Sequence, residues 1–219
     1  DLNPEFDPQQ NRKFKYFSLT YFYKNDHRND RNFPLKGHYF DAIFVKRGLG
    51  FSKNTNIDLF SVITNLRKYW DLGNKFYFSA GFTGRLASTG KNPYFLNTGL
   101  GYNTDFVRGY EHYVVDGQDF GLMKTELKYG LIQNNISNIS LLPKAFRKVP
   151  WSIYLSFFAD AAYSTTELTQ NTNSLQNETL FGYGAGINFV TYYDLVFRFE
   201  YSINRMKEGG LFISFMSAI

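Results

Sequence analysis

The chain has 219 residues, which is enough for one sizeable core or one closed sheet. Its 43% hydrophobic and 20% charged residues exclude a disordered chain, and the lack of cysteine excludes a disulfide scaffold, a cysteine-ligated zinc site and a thiol nucleophile. The net charge of +5 is mild and forms no basic stripe, so no nucleic-acid partner is expected.

Nine segments are predicted to form strands, at 14–24, 38–46, 56–70, 75–86, 121–131, 151–163, 182–189, 194–204 and 211–219. Most of them alternate apolar and polar residues with a period of two, whereas 38–46 is predicted from its composition. One face of the clearest segment, 194–204, is wholly apolar and consists of Leu195, Phe197, Phe199, Tyr201 and Ile203. The segment 38–46 has no clear face. In 56–70 the alternation shifts near Ile63, which suggests a bulge.

The length of these segments indicates the class of sheet. Most have about 9 to 13 residues, whereas strands of soluble proteins usually have about 5 to 6 and membrane-crossing strands about 9 to 11. Aromatic residues also fall at segment ends, as in the girdles of membrane barrels: Tyr69, Trp70, Trp151, Tyr163, Tyr192 and Tyr193. We therefore expect an all-β, antiparallel transmembrane β-barrel. The alternative is a soluble β-sandwich with unusually long strands.

The connections between the segments fall into two classes. Those at 29–35, 70–75 and 190–194 are short, and those at 87–118 and 164–179 are long. This alternation is typical of short periplasmic turns and longer outer loops. The connection 133–149 is long where a short turn is expected, and its Pro143 and the following Pro150 argue against a strand there.

A tetrapeptide in the longest connection resembles a family motif. Val107, Arg108, Gly109 and Tyr110 match the V-R-G-F/Y sequence of the BamA/TamA superfamily (the bacterial surface antigen family) of outer-membrane assembly and translocation proteins. Further along the chain, 124–129 resembles the next strand of that family. Phe158 and Asp160 match its F-x-D-x-G motif, with Ala162 in place of the glycine. The turn 26–37 is also similar to the family's D-x-R-x…P-x-x-G turn.

The resemblance implies a barrel of about sixteen strands in the bacterial outer membrane, preceded by periplasmic POTRA domains. Residues 1–219 would form about nine C-terminal strands, and the start of the chain without an initiator methionine fits a processed chain or a fragment. The implied partners are outer-membrane lipid, unfolded outer-membrane client proteins and accessory periplasmic or lipoprotein subunits. The implied function is insertion or translocation of these clients without a cofactor.

The resemblance also implies a lock between the loop 87–118 and the barrel wall. Parity places Glu126 and Asp160 on the polar face, and the loop folded into the lumen would bring Arg108 between these two carboxylates. Gly109 would allow a sharp turn, and Tyr110 would pack on the inner wall. The alternative is a solvated Arg108 beside ordinary lumen charges. We expect Gly182, Gly184 and Gly186, which share one face, to make room for the loop.

By the same resemblance, clients would enter at a weak seam formed by the last strand. Gly209 and Gly210 would let that strand bend, and its outward apolar row consists of Leu211, Ile213, Phe215 and Ile219, the last in place of the usual aromatic residue. A passive pore or a secretion barrel for one partner is the alternative function. An enzyme is not expected, because no nucleophile accompanies Glu126 and Asp160, and the three histidines lack metal-site spacing.

Overall fold

The computed structural model describes residues 16–49, 57–88, 96, 99–102, 105–138, 140, 143–144, 147–165, 175–191 and 195–216. They contain nine strands: β1 (Ser18–Asp26), β2 (Gly37–Arg47), β3 (Leu59–Gly73), β4 (Phe76–Ala87), β5 (Asp119–Asn138), β6 (Lys148–Thr165), β7 (Thr179–Thr191), β8 (Leu195–Asn204) and β9 (Gly209–Met216). Each strand pairs antiparallel with the next along the chain, in a single sheet. None of the described residues forms a helix long and apolar enough to cross a bilayer.

All nine predicted strands are therefore confirmed, although residues 14–15, 56, 194 and 217–219 of the predicted segments lie outside the described residues. The bulge expected near Ile63 is wrong, because the pairing of β3 with both neighbours is continuous there. The register shifts instead between Asp71 and Gly73. Asn74 and Lys75 follow with positive φ angles of 50° and 67°, the conformation that a two-residue hairpin turn requires.

The expectation that 133–149 is a connection is also wrong, because β5 and β6 run on as a paired extension. Asn138 lies opposite Lys148, and two register shifts between Gly130 and Asn135 absorb the extra residues. Pro150 lies within β6, which pairs with β7 only from Trp151 onward. A proline is compatible with this position because no described strand lies on the β7 side of β6 there.

Burial in the sheet is the reverse of that in a soluble sandwich. In β6, Phe157 is 60% exposed and its neighbour Phe158 only 5%, and Ser156 and Asp160 on the side of Phe158 are 1% exposed. Large apolar residues of other strands are exposed on the same side of the sheet as Phe157, among them Phe82, Leu86, Met123, Phe181, Tyr183, Ile187, Phe199 and Tyr201. We refer to the exposed side as the apolar face and to the covered side as the polar face. No second layer of described residues covers the apolar face.

The polar face is covered near both ends by connections that fold over it. At one end, Phe33 from the connection between β1 and β2 packs on Tyr154 of β6, with ring centroids 4.8 Å apart, and on Val196 of β8. At the other end, the described part of the connection between β4 and β5 forms a larger apolar cluster with the sheet. This second connection contains the predicted loop motif.

Candidate functional site

The motif 107–110 forms a tight turn at the tip of the connection between β4 and β5. The amide of Tyr110 donates to the carbonyl of Val107 at 2.9 Å, and Gly109 in between has a φ of 95°. A turn with a positive φ at its third position favours glycine, because a Cβ there would be strained. Val107 and Tyr110 are both buried in the apolar cluster, which also contains Leu122 and Ala162. The turn is thus held by its flanking residues and leaves Arg108 directed at the sheet.

The turn rests on one row of the sheet, which we call the loop seat. The pairing of β5 to β8 places Lys124, Asp160, Gly182 and Asn204 side by side in this row. The carbonyl oxygen of Arg108 lies so close to Gly182 that a Cβ on this glycine would be 1.8 Å from it. The side-chain amide of Asn204 donates to the carbonyl of Gly109 at 3.1 Å. The seat therefore holds the backbone of the turn as well as its charged side chain.

Arg108 and Asp160 form a bidentate ion pair. Nε and Nη2 of Arg108 donate to the two carboxylate oxygens at 2.8 and 2.7 Å, and the backbone amide of Arg108 donates a third bond at 3.2 Å. The Asp160 side chain is fully buried and the Arg108 side chain is 11% exposed. The guanidinium carbon also lies 3.8 Å from the centre of the Phe158 ring. Asp160 and Phe158 thus fix the guanidinium in both its plane and its position.

The second carboxylate near Arg108 is Glu200 of β8, 3.4 Å from Nη1, and not Glu126 as expected. Among the ion pairs of the described residues, Glu126 instead joins Lys128 at 3.2 Å. The strand register does not account for this choice, because Glu126 pairs with Phe158, one row beyond the seat, whereas Glu200 pairs with Gly186, two rows beyond it. Glu126 has a nearer cation in its own i+2 neighbour on β5, Lys128. Sequence analysis missed Glu200, although it lies on the polar side of 194–204.

The ionisable groups of the loop are perturbed by this environment. Burial alone would lower the pKa of Arg108, but the hydrogen bonds to Asp160 and the charges of Asp160, Glu126 and Glu200 outweigh it and raise this pKa. Burial raises the pKa of Glu111, whose carboxylate accepts a 2.8 Å hydrogen bond from the Gly109 amide. Arg108 therefore keeps its charge, whereas Glu111 is destabilised in its ionised form.

The loop also contacts the turn between β8 and β9. The hydroxyl of Tyr113 donates to Glu208 at 2.8 Å, and Asn204 of the seat donates to the same carboxylate oxygen at 2.8 Å. The rings of His112 and Phe212 lie 5.8 Å apart. The hydrogen bonds from Asn204 and Tyr113 lower the pKa of Glu208. The position of the loop is thereby linked to the position of the β8–β9 hairpin.

Only one of the three alternating glycines of β7 makes room for the loop. Gly182 lies under Arg108, whereas a Cβ on Gly184 would approach the ring of Phe158 to 2.7 Å and one on Gly186 would approach Glu200 to 2.9 Å. Gly184 and Gly186 therefore accommodate the side chains that surround the guanidinium. Ala162, at the last position of the F-x-D-x-G-like segment, has its methyl group buried in the apolar cluster of the loop.

β9 is an edge strand among the described residues. It pairs with β8 alone, from Gly209 opposite Ile203 onward, and Gly210 lies opposite Ser202. Its apolar-face residues Leu211, Ile213 and Phe215 are 67–68% exposed. Ile219 lies outside the described residues.

The described residues contain no group of three His, Cys, Asp or Glu side chains placed to hold a metal ion. Comparison of the sequence with known proteins finds no matching protein-family model and no significantly similar curated protein.

Proposed function

We propose that this chain is part of an outer-membrane β-barrel that inserts other outer-membrane proteins or translocates polypeptides, and that client strands pair with the edge of β9. The proposal rests on the likeness of 107–110 and its surroundings to the BamA/TamA superfamily and on three structural features. These are the reversed burial of the sheet, the docked loop and the open strand edge. The chain would act in the membrane, with lipid, unfolded clients and accessory periplasmic or lipoprotein subunits as partners, and without a cofactor.

The reversed burial supports the membrane part of the proposal. Rows of aromatic and aliphatic side chains on the exposed side of nine long strands would aggregate in water, whereas hydrocarbon solvates them. In the same arrangement the charged residues on the other side, including Asp160 and Lys128, stay away from lipid. Closing such a sheet requires further strands, because unpaired backbone groups in hydrocarbon cost several kcal/mol each.

Among the described residues β1 and β9 are both edge strands, and the edge of β9, together with its link to the docked loop, supports the insertion part. A strand edge offers its amides and carbonyls to any extended segment, which is the basis of strand addition. The contacts of Tyr113 and Asn204 with Glu208 link the docked loop to the turn at the start of β9. Loop docking would thus keep this edge strand in a fixed position while a client strand pairs with it.

Disulfide trapping of a client tests this proposal, because the chain contains no cysteine of its own. We would place a single cysteine at Ser214 of β9, in a protein that has no other, and reconstitute it in lipid vesicles. Unfolded client barrels would carry cysteines at successive positions of one terminal strand. We expect adducts with Ser214→Cys at every second client position, because alternate residues of a strand share a face.

The matched control is Ser79→Cys on β4, a strand that is paired on both sides. This cysteine should form no client adduct. Absence of adducts at Ser214→Cys, or equal adducts at Ser79→Cys, would contradict strand addition at β9. Depletion of the protein in cells separates the functional alternatives. Loss of many outer-membrane proteins indicates insertion, and loss of one secreted protein indicates a dedicated secretion barrel.

A further inference from the structure

A groove of about 360 Å³ lies on the apolar face, across strands β2 to β5. This volume is within the range of small-molecule sites, roughly 300–1,000 Å³. The strand pairing arranges its ten lining residues in three successive rows. The first row is apolar and consists of Phe40, Leu66, Phe82 and Met123, and the third consists of His38, Lys68 and Ala80. The middle row consists of Tyr39, Arg67 and Gly81, and strand alternation assigns it to the polar face.

The groove exists because the third row contains a small side chain. Ala80 of β4 lies between Lys68 and Thr125, and its methyl group leaves a depression beside the large side chains of Phe82 and Met123. The floor of the depression is therefore strand backbone and one methyl group. Its walls are apolar side chains of the kind that contact an acyl chain.

One end of the groove is basic. Lys68 and His38 lie directly opposite each other on β3 and β2, and both are exposed. The ring of His27 lies 5.0 Å from that of His38 and adds a second imidazole at this end. No ion pair among the described residues involves Lys68, and none of the described lining residues is acidic. Among the described residues, this point of the apolar face thus has a cation and no acidic residue beside it.

The basic end lies near the β1–β2 and β3–β4 connections. Trp70 follows Lys68 on the same face and stacks on Phe78, with ring centroids 5.6 Å apart. Tryptophan on an apolar barrel face is typical of the level where lipid headgroups begin. A lysine side chain can extend toward this level while its methylene groups remain on the apolar surface. The ammonium group is therefore placed to meet the phosphate of a lipid.

We propose that this groove binds an anionic phospholipid of the leaflet next to the short connections. Lys68 and His38 bind the headgroup phosphate, and one acyl chain lies in the depression over Ala80. The proposal rests on the proposed function, which supplies the membrane around the apolar face. It adds a defined lipid site, whereas the proposed function requires only lipid in general.

Quenching of Trp70 by brominated lipids tests this site, because Trp70 lies beside the groove. The full protein, with Trp70 as its single tryptophan, would be reconstituted in phosphatidylcholine vesicles with increasing fractions of brominated phosphatidylglycerol or brominated phosphatidylcholine. We expect brominated phosphatidylglycerol to reach half-maximal quenching at a lipid fraction about fivefold lower than brominated phosphatidylcholine. A basic residue near a membrane surface typically contributes an effect of this size.

Three variants test whether the preference for the anionic lipid arises at this groove. Lys68→Gln removes the charge at nearly constant length, and Ala80→Phe fills the depression; both should abolish the fivefold difference. Lys148→Gln, which removes an exposed lysine of β6 that does not line the groove, should leave it unchanged. Circular dichroism of each reconstituted variant would establish that the sheet is formed.

The outcomes separate the lipid site from the proposed function. Equal quenching by the two lipids would overturn the lipid site and leave the membrane barrel standing. A preference that survives in Lys68→Gln and Ala80→Phe, or that is lost as much in Lys148→Gln, would also overturn the site. If neither lipid quenches Trp70, the apolar face does not contact the membrane, and the proposed function fails together with the site.

Discussion

Removing the charge of Asp160 should release the loop from its seat. In Asp160→Asn the guanidinium of Arg108 keeps one carboxylate contact, the longer one of 3.4 Å with Glu200, besides a 3.3 Å hydrogen bond to the carbonyl of Thr125 and its contact with the Phe158 ring. The new amide NH₂ group opposes the donors of Arg108. Breaking a buried ion pair at one partner typically costs about 3–5 kcal/mol. Because Arg108 is 11% exposed, we expect the lower end of this range, about 3 kcal/mol.

A loss of about 3 kcal/mol corresponds to a more than hundredfold larger population of the undocked loop. Hydrogen exchange measures this population at the amides of Tyr110 and Tyr113, which are hydrogen-bonded within the docked loop. Their exchange should accelerate more than hundredfold in Asp160→Asn. The amides at the centre of β6 should exchange as in the unmodified protein.

Two further substitutions provide controls for this experiment. Glu200→Gln removes the longer, single contact and should accelerate exchange only about threefold to tenfold, because one such pair contributes about 1 kcal/mol. Glu126→Gln should have a still smaller effect on the loop, since Glu126 pairs with Lys128. Exchange in Asp160→Asn equal to that of the unmodified protein, or a larger effect of Glu126→Gln, would refute the assignment of Asp160 as the main partner of Arg108.

Three other predictions concern the same loop. Gly182→Ala should undock the loop, because the added Cβ meets the carbonyl oxygen of Arg108. The control Gly121→Ala, whose Cβ makes only ordinary contacts, should leave the loop docked. The rate of protease cleavage within the loop should therefore rise in Gly182→Ala and not in Gly121→Ala. Phe158→Leu should weaken docking by about 0.5–2 kcal/mol through loss of the ring under the guanidinium, and equal thermal stability of the loop in both proteins would contradict this. The pKa of Glu111 is raised above its usual value of 4.5 in the docked state, so protonation of Glu111 favours docking. Amide protection of the loop, corrected for intrinsic exchange, should therefore increase as the pH falls through the raised pKa. Glu111→Gln should remove this pH dependence.

Most of the strands could be predicted from sequence because they have one apolar and one polar side. In 194–204 the alternation identifies both the strand and the side that carries Glu200. The extension of β5 and β6 could not be predicted in this way, because 133–138 is polar except for Ile136, so neither side is apolar throughout, and Pro150 suggested a break. An extension held by pairing with its own hairpin partner needs no apolar side.

The partners of Arg108 show a second limit of sequence analysis. Alternation tells which side of the sheet a residue occupies, but not which residues of the neighbouring strands lie beside it. Glu126, Asp160 and Glu200 all lie on the polar side, and only the strand register distinguishes their rows. Asp160 lies in the row of Gly182, where the turn rests, and this juxtaposition depends on pairing between distant parts of the chain.

The proposed function requires that the apolar face of the sheet contacts lipid, and two adjacent residues of β6 allow a direct test of this. Phe157 is 60% exposed on the apolar face, and Phe158 is 5% exposed under Arg108. Lipids with a photoactivated carbene on the acyl chain would label side chains in the reconstituted protein, and mass spectrometry would locate the adducts. We expect adducts on Phe157 and none on Phe158. Adducts on neither residue, or on Phe158 alone, would contradict this expectation.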